Sequence, residues 1–188
     1  MTIGIGILIL FLLVMSATFS FTETALASVN KIKLQQLTDS KSKRKAKKAQ
    51  RALDLVNNYN ESVTSIVIMN NIVNILATTL AAIFFAKLVP GNAGAAAAIS
   101  FATMTVVTIV FGEVTPKIMA KRHSLWGTIN LSFMVKVVSI IFRPITIIIE
   151  KIVKNKEEVM FESDDDIKYA LKDSVQAGAM NTEEHHLV

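Results

Sequence analysis

Oxygen-bearing side chains stand inside stretches otherwise too apolar for them. Ser16, Ser20 and Glu23 follow one another at spacings of four and three, which puts them on one face of a helix. Asn70 and Asn74 are four apart, with Thr78 four further on and Asn71 alongside. Thr105 and Thr108 lead to Gly112-Glu113. Pro116 has no amide hydrogen, so the carbonyl of Gly112, four residues earlier, loses its helical donor. A free carbonyl beside a carboxylate, with hydroxyls and amides near, suits a hard cation. Mg²⁺, Na⁺ and Ca²⁺ all take oxygen ligands, and Mg²⁺ asks for near-octahedral geometry. The apolar stretches hold no histidine or cysteine, which disfavours zinc and copper.

Each of these residues also has an ordinary use. Serine and threonine hydroxyls bond back to helical carbonyls. Asparagines join helices at modest gain. Glu23 and Glu113 both lie near the end of an apolar run, where a carboxylate reaches the interface. The set is more telling than any member: serines, asparagines and a glutamate on three segments that short loops bring together.

The elements that position them are helices long enough to span a bilayer. Four apolar runs qualify for comparison with membrane thickness: about 3–28, 62–86, 93–116 and 125–149. A spanning helix needs roughly 20 such residues. The chain is 52% hydrophobic with mean hydropathy +0.47, above what a soluble domain of this length shows. The first run has no basic n-region and exceeds the usual length of a signal peptide. A retained helix is therefore expected, although Ala25-Leu26-Ala27 has the look of a cleavage site. The fourth run carries Lys136, Arg143 and Pro144.

Charge gives direction. Lys31 to Arg51 holds nine Lys/Arg against the single acid Asp39, and Lys117, Lys121 and Arg122 follow the third run. By the positive-inside rule both regions are cytoplasmic, which puts the N-terminus outside. A full fourth span would carry Lys151, Lys154 and Lys156 outside. The expectation is therefore a helix at the inner interface over 125–149, with an ordinary fourth span as the alternative. The basic block reads as a helical hairpin with Ser40 or Ser42 as its cap. Its ordinary role is to fix topology; anionic lipid is a further possible contact. Without interleaved aromatics it does not read as a nucleic-acid site. From Glu157 to Glu184 there are nine acids, among them Asp164-Asp165-Asp166, against Lys168 and Lys172. That stretch reads as a soluble helical segment, 151–188, beyond a membrane domain at 1–150. No phosphate-binding glycine loop and no nucleophile–base pair stands out. The chain reads as a non-enzyme.

Three motifs in this order resemble the transmembrane domain of the CorC/cyclin M family of magnesium transporters. They are Ser16-x-x-x-Ser20-x-x-Glu23-Thr24-Ala25-Leu26, then Asn70-Asn71-x-x-Asn74, then Phe111-Gly112-Glu113-x-x-Pro116-Lys117. The resemblance covers nearly the whole chain. It implies an all-α membrane protein, a homodimer in the plasma membrane. Each subunit would have three spans, an interfacial belt helix, the basic hairpin and the acidic segment. It implies Mg²⁺ export coupled to Na⁺ entry, and a cation site on Ser16, Ser20, Asn70, Asn74, the Gly112 carbonyl and Glu113. It also implies a tandem cystathionine-β-synthase-like regulatory pair after His185-His186-Leu187-Val188, where any ATP would bind. Thr22 stands where many relatives have serine, and keeps the hydroxyl. The rival expectation is a membrane-anchored regulator or sensor that binds Mg²⁺ without moving it.

Overall fold

The computed structural model describes Thr2–Met160, and every described segment of any length is helical. The chain divides into two compact units, Met1–Thr146 and Ile147–Val188. The first contains α1 (Thr2–Ser28), α2 (Lys31–Thr38), α3 (Lys43–Asn57), α4 (Tyr59–Leu88), α5 (Ala93–Val107), a π-helical segment (Thr108–Val114) and α6 (Thr115–Arg122). It also contains the start of α7 (Ser124–Met160). Of the second unit the described part is the helical stretch 147–160. The acidic run expected beyond it, with Asp164-Asp165-Asp166, lies outside the described residues.

Four helices are long and apolar enough to cross a membrane: Thr2–Ser28, Tyr59–Leu88, Ala93–Arg122 and Ser124–Ile149. Length and composition therefore do not set the fourth apolar run apart from the other three. The outward side chains suit lipid: Ile3, Ile7, Phe11, Ile75, Phe101, Val106 and Ile140 are all exposed. In water an apolar surface of this extent would aggregate.

Helix α1 packs along α4 and against the π segment and α6, and α4 also packs on α5. The α4 contact stripe is Ser62, Ile66, Asn70, Val73, Ala77 and Ala81, all buried and recurring at three or four residues. Alanines at 77 and 81 let the backbones approach, the usual device between helices in lipid. Leu12, Phe19 and Leu26 of α1 meet Ile66, Val73 and Met104 in the main cluster. A second cluster, Leu34 with Ala49 and Ala52, closes the α2–α3 hairpin, and Leu125 and Ile129 of α7 pack on it.

The hairpin begins on an unexpected cap. Asn30 Oδ1 accepts from the Lys33 amide at 3.0 Å. Ser42 occupies the N-cap position of α3 but makes no side-chain cap bond. Between α4 and α5 the turn rests on Gly91 at φ 88°, where a side chain would strain the backbone, and Asn92 caps α5 by accepting from the Ala95 amide.

Helix α7 stays close to the hairpin. Gly127 lies so near α1 that a Cβ there would run into the Phe21 ring and sit 3.1 Å from Ala25 Cβ. Phe21 and Trp126 meet edge to face at 6.4 Å. Lys48 donates to Asn130 Oδ1 at 3.0 Å, Arg51 lies over the Phe133 ring at 5.4 Å, and Arg143 pairs with Glu61 at 3.9 Å.

Candidate functional site

Two serines on one face of α1 converge on one asparagine of α4. Ser16 Oγ donates to Asn70 Oδ1 at 3.0 Å, and Asn70 Nδ2 donates to Ser20 Oγ at 3.3 Å. Both serines are 0% exposed and Asn70 is 7% exposed. The spacing of four does the positioning: successive turns of α1 aim both hydroxyls at the same neighbour. A polar trio at this depth survives because its members satisfy one another.

The third element is the π segment. Gly112 is buried in it, and a Cβ on Gly112 would sit 3.2 Å from Ser16 Oγ. Glycine is thus what lets the backbone come up to the serine. The widened register has a consequence for acceptors. The Thr115 amide donates five residues back to the Val110 carbonyl, so it is drawn off from Phe111, its ordinary α-helical acceptor. Pro116, next along, carries no amide hydrogen, so Gly112 has no donor four residues ahead. The carbonyls of Phe111 and Gly112 thereby lose the donors four residues ahead of them, beside the point where Ser16 packs on Gly112. Single π turns inside α-helices are rare and recur at functional sites.

Of the residues expected in a cation site, the structure brings together Ser16, Ser20, Asn70 and the backbone of Gly112. Asn74 lies one turn further along α4; its Oδ1 is buried and has no hydrogen-bond partner. Glu113 is half-buried and, among the described residues, makes no ion pair. Of the other polar residues, Asn71 and Thr105 are exposed. Thr78 spends its hydroxyl on the carbonyls of Asn74 and Ile75, and Thr22 spends its own on Thr18 at 2.6 Å. Glu23 pairs with Lys117 at 3.5 Å, tying α1 to α6 one turn beyond Ser20. That partnership is not legible in the sequence, where Lys117 stands as a topology signal and as the last residue of the third motif.

The chemistry available follows from the donors. Among the described residues no three His, Cys, Asp or Glu side chains come together. What converges is hydroxyl, amide and carbonyl oxygen, with the Glu113 carboxylate adjoining in sequence. Such a set recognises a hard cation and offers little to a soft one.

Comparison with known proteins agrees with this architecture. A UPF0053 protein of Haemophilus influenzae is 36% identical over 97 residues, which are 52% of this chain and 21% of that protein. The chain thus spans much less than two thirds of that relative's length. The cyclin M transmembrane N-terminal domain matches residues 7–184, almost the full chain. With its long apolar helices, this chain is a multi-pass membrane domain belonging to the cyclin M transmembrane N-terminal domain family.

Proposed function

We propose that the chain is the membrane domain of a secondary transporter, a carrier and not an enzyme, that exports Mg²⁺ across the plasma membrane in exchange for Na⁺ entry. The observation that carries this reading is the Ser16–Asn70–Ser20 trio packed through Ser16 on Gly112 of the π segment, inside helices of membrane length. Mg²⁺ is the cargo. Ser16, Ser20, Asn70, Asn74, the Gly112 carbonyl and Glu113 supply its ligands, and Glu113 supplies the charge that offsets its dehydration. A homodimer is the proposed assembly, with anionic lipid against the Lys43–Lys48 face.

The proposed topology has the N-terminus outside, three spans (α1, α4, and α5 with the π segment and α6), and α7 as a belt at the inner interface. Charge bias favours it, and so does the course of α7. Gly127 touches the late part of α1, beside the hairpin. Sixteen residues on, about 24 Å along a helix axis, Arg143 still meets Glu61 in the first turn of α4, again beside the hairpin. A spanning helix would by then have reached about the level of Ala81.

The deciding experiment is flux. Purified protein in liposomes should move Mg²⁺, read by a trapped fluorescent indicator, faster when a Na⁺ gradient opposes it. Mg²⁺ binding without any flux would replace the transporter with a membrane-anchored regulator. No binding and no flux would leave the polar residues as helix-packing groups.

A further inference from the structure

Two buried polar atoms near the site have no partner, and they lie on different helices. One is Asn74 Oδ1 on α4; the other is Thr108 Oγ1, at the first residue of the π segment. The fully buried threonines of this chain behave otherwise. Thr22, Thr128 and Thr146 each donate to a carbonyl three or four residues back, the usual way such a hydroxyl is satisfied in an apolar helix. Leaving a buried hydroxyl unpaired is costly, so an orphaned one needs a reason.

Placement supplies one. The Thr108 methyl and the Ser16 hydroxyl flank a single point, a Cβ on Gly112 being 3.5 Å from Thr108 Cγ2 and 3.2 Å from Ser16 Oγ; the unpaired Thr108 Oγ1 is on that same side chain. Thr108 also closes one end of a groove of ≈ 360 Å³ between α4 and α5, lined by Thr78 and Ala82 on one side and Ser100, Met104 and Thr105 on the other. Thr78 lines it together with Met104 and Thr105, and one helical turn on along α4 and α5 stand Asn74 and Thr108. The trio Ser16–Asn70–Ser20 satisfies itself, whereas Asn74 Oδ1, one turn from Asn70, and Thr108 Oγ1, one turn from Gly112, are unpaired.

We infer that the Thr108 hydroxyl is a direct ligand of the transported cation, contributed by the third span beside Asn74. This rests on the Mg²⁺ site proposed above; because Mg²⁺ takes six oxygens and six motif residues are named there, the Thr108 hydroxyl takes the place of one of them. A neutral hydroxyl supplies a hard-cation ligand without adding charge, which suits an ion that must also leave.

The test is calorimetric Mg²⁺ titration of the purified chain, with thermal unfolding measured without Mg²⁺. Thr108→Val keeps the branched shape and removes the oxygen. It should weaken Mg²⁺ binding by about tenfold or more, the scale of losing a metal-supporting group. The ion-free protein should at the same time melt no lower than wild type, because an unpaired buried hydroxyl has gone. Thr108→Ser keeps the oxygen and should bind within a few-fold of wild type. Thr105→Val, at an exposed position, should change nothing. Wild-type affinity in a folded Thr108→Val protein would overturn the inference and leave the Mg²⁺ site standing. So would an equal loss in Thr108→Ser, which also covers the case of an unfolded valine variant. A wild-type chain that binds no Mg²⁺ would overturn the site itself.

Discussion

Gly112→Ala is the smallest change that probes the approach of three helices. The added Cβ would lie 3.2 Å from Ser16 Oγ and 3.5 Å from Thr108 Cγ2. Ordinary contact begins near 3.4 Å, so Ser16 or the π segment must give way by a few tenths of an ångström. Ser16 is not free to turn aside, because it donates to Asn70 at 3.0 Å. Mg²⁺ holds its oxygens at about 2.0–2.1 Å in near-octahedral geometry, and a sound metal site tolerates roughly ±0.2 Å. The displacement exceeds that tolerance for the Ser16 hydroxyl and the Gly112 carbonyl together. Mg²⁺ affinity should fall by about tenfold or more, or ~1.4 kcal/mol. Ca²⁺, with longer and more flexible coordination, should lose less. Folding should not suffer in proportion, since alanine is preferred over glycine in a helix by about 1 kcal/mol. The assay is calorimetric titration with each cation, beside thermal unfolding in detergent without either. Equal Mg²⁺ affinity in Gly112→Ala and wild type would refute the geometry, because the ion would then not depend on this contact.

Three further outcomes can be checked. Glu113→Gln should abolish Mg²⁺ binding while leaving size-exclusion elution unchanged, because a carboxylate in a low-dielectric site compensates a divalent charge far better than an amide. In the same titration Ser20→Ala should weaken binding less, and Thr18→Ala, whose hydroxyl is bonded to the Val14 carbonyl, should leave it unchanged. In intact cells a cysteine placed at Asn92 should react with an impermeant reagent from outside and one at Ser42 or Ser174 should not; outside labelling at Ser174 would remove the three-span topology. Gly127→Ala should lower the melting temperature, as overpacking costs about 1–3 kcal/mol, and Phe21→Ala in the same chain should restore part of it; an unchanged melting temperature would mean that α1 and α7 do not touch there.

The trio was legible because its spacing is local. Ser16 and Ser20 at four residues must share a face, and once α1 and α4 pair, a single asparagine between them is a short step. Gly112 was legible through Pro116, but only as a lost donor. The π register is a tertiary outcome that no residue type announces, and it frees the Phe111 carbonyl as well. The close approach at Gly127 was not legible either, since its reason is Phe21, more than a hundred residues earlier. Ser42 had the right type for a cap and made no cap bond, while Asn30 did so unforeseen. The course of α7 could not be read from hydropathy, because length and apolar content are those of a span. Lys48, Arg51 and Glu61, the residues that hold it beside the hairpin, belong to other segments.

In the proposed site the bonds within the Ser16–Asn70–Ser20 trio would act as a threshold on what can enter. Both must be surrendered before the same oxygens can turn to an ion. At about 0.5–1.5 kcal/mol each, that subtracts roughly 1–3 kcal/mol from any cation's affinity, a reduction of about 5- to 150-fold. An ion with strong, short oxygen contacts recovers the loss; a weakly coordinating one does not. The same penalty would assist departure from the proposed site, because the asparagine would reclose on the serines as an ion left, and passage across a membrane requires binding weak enough to end. A tighter site, built from oxygens with nothing else to hold, would make a better trap and a slower carrier.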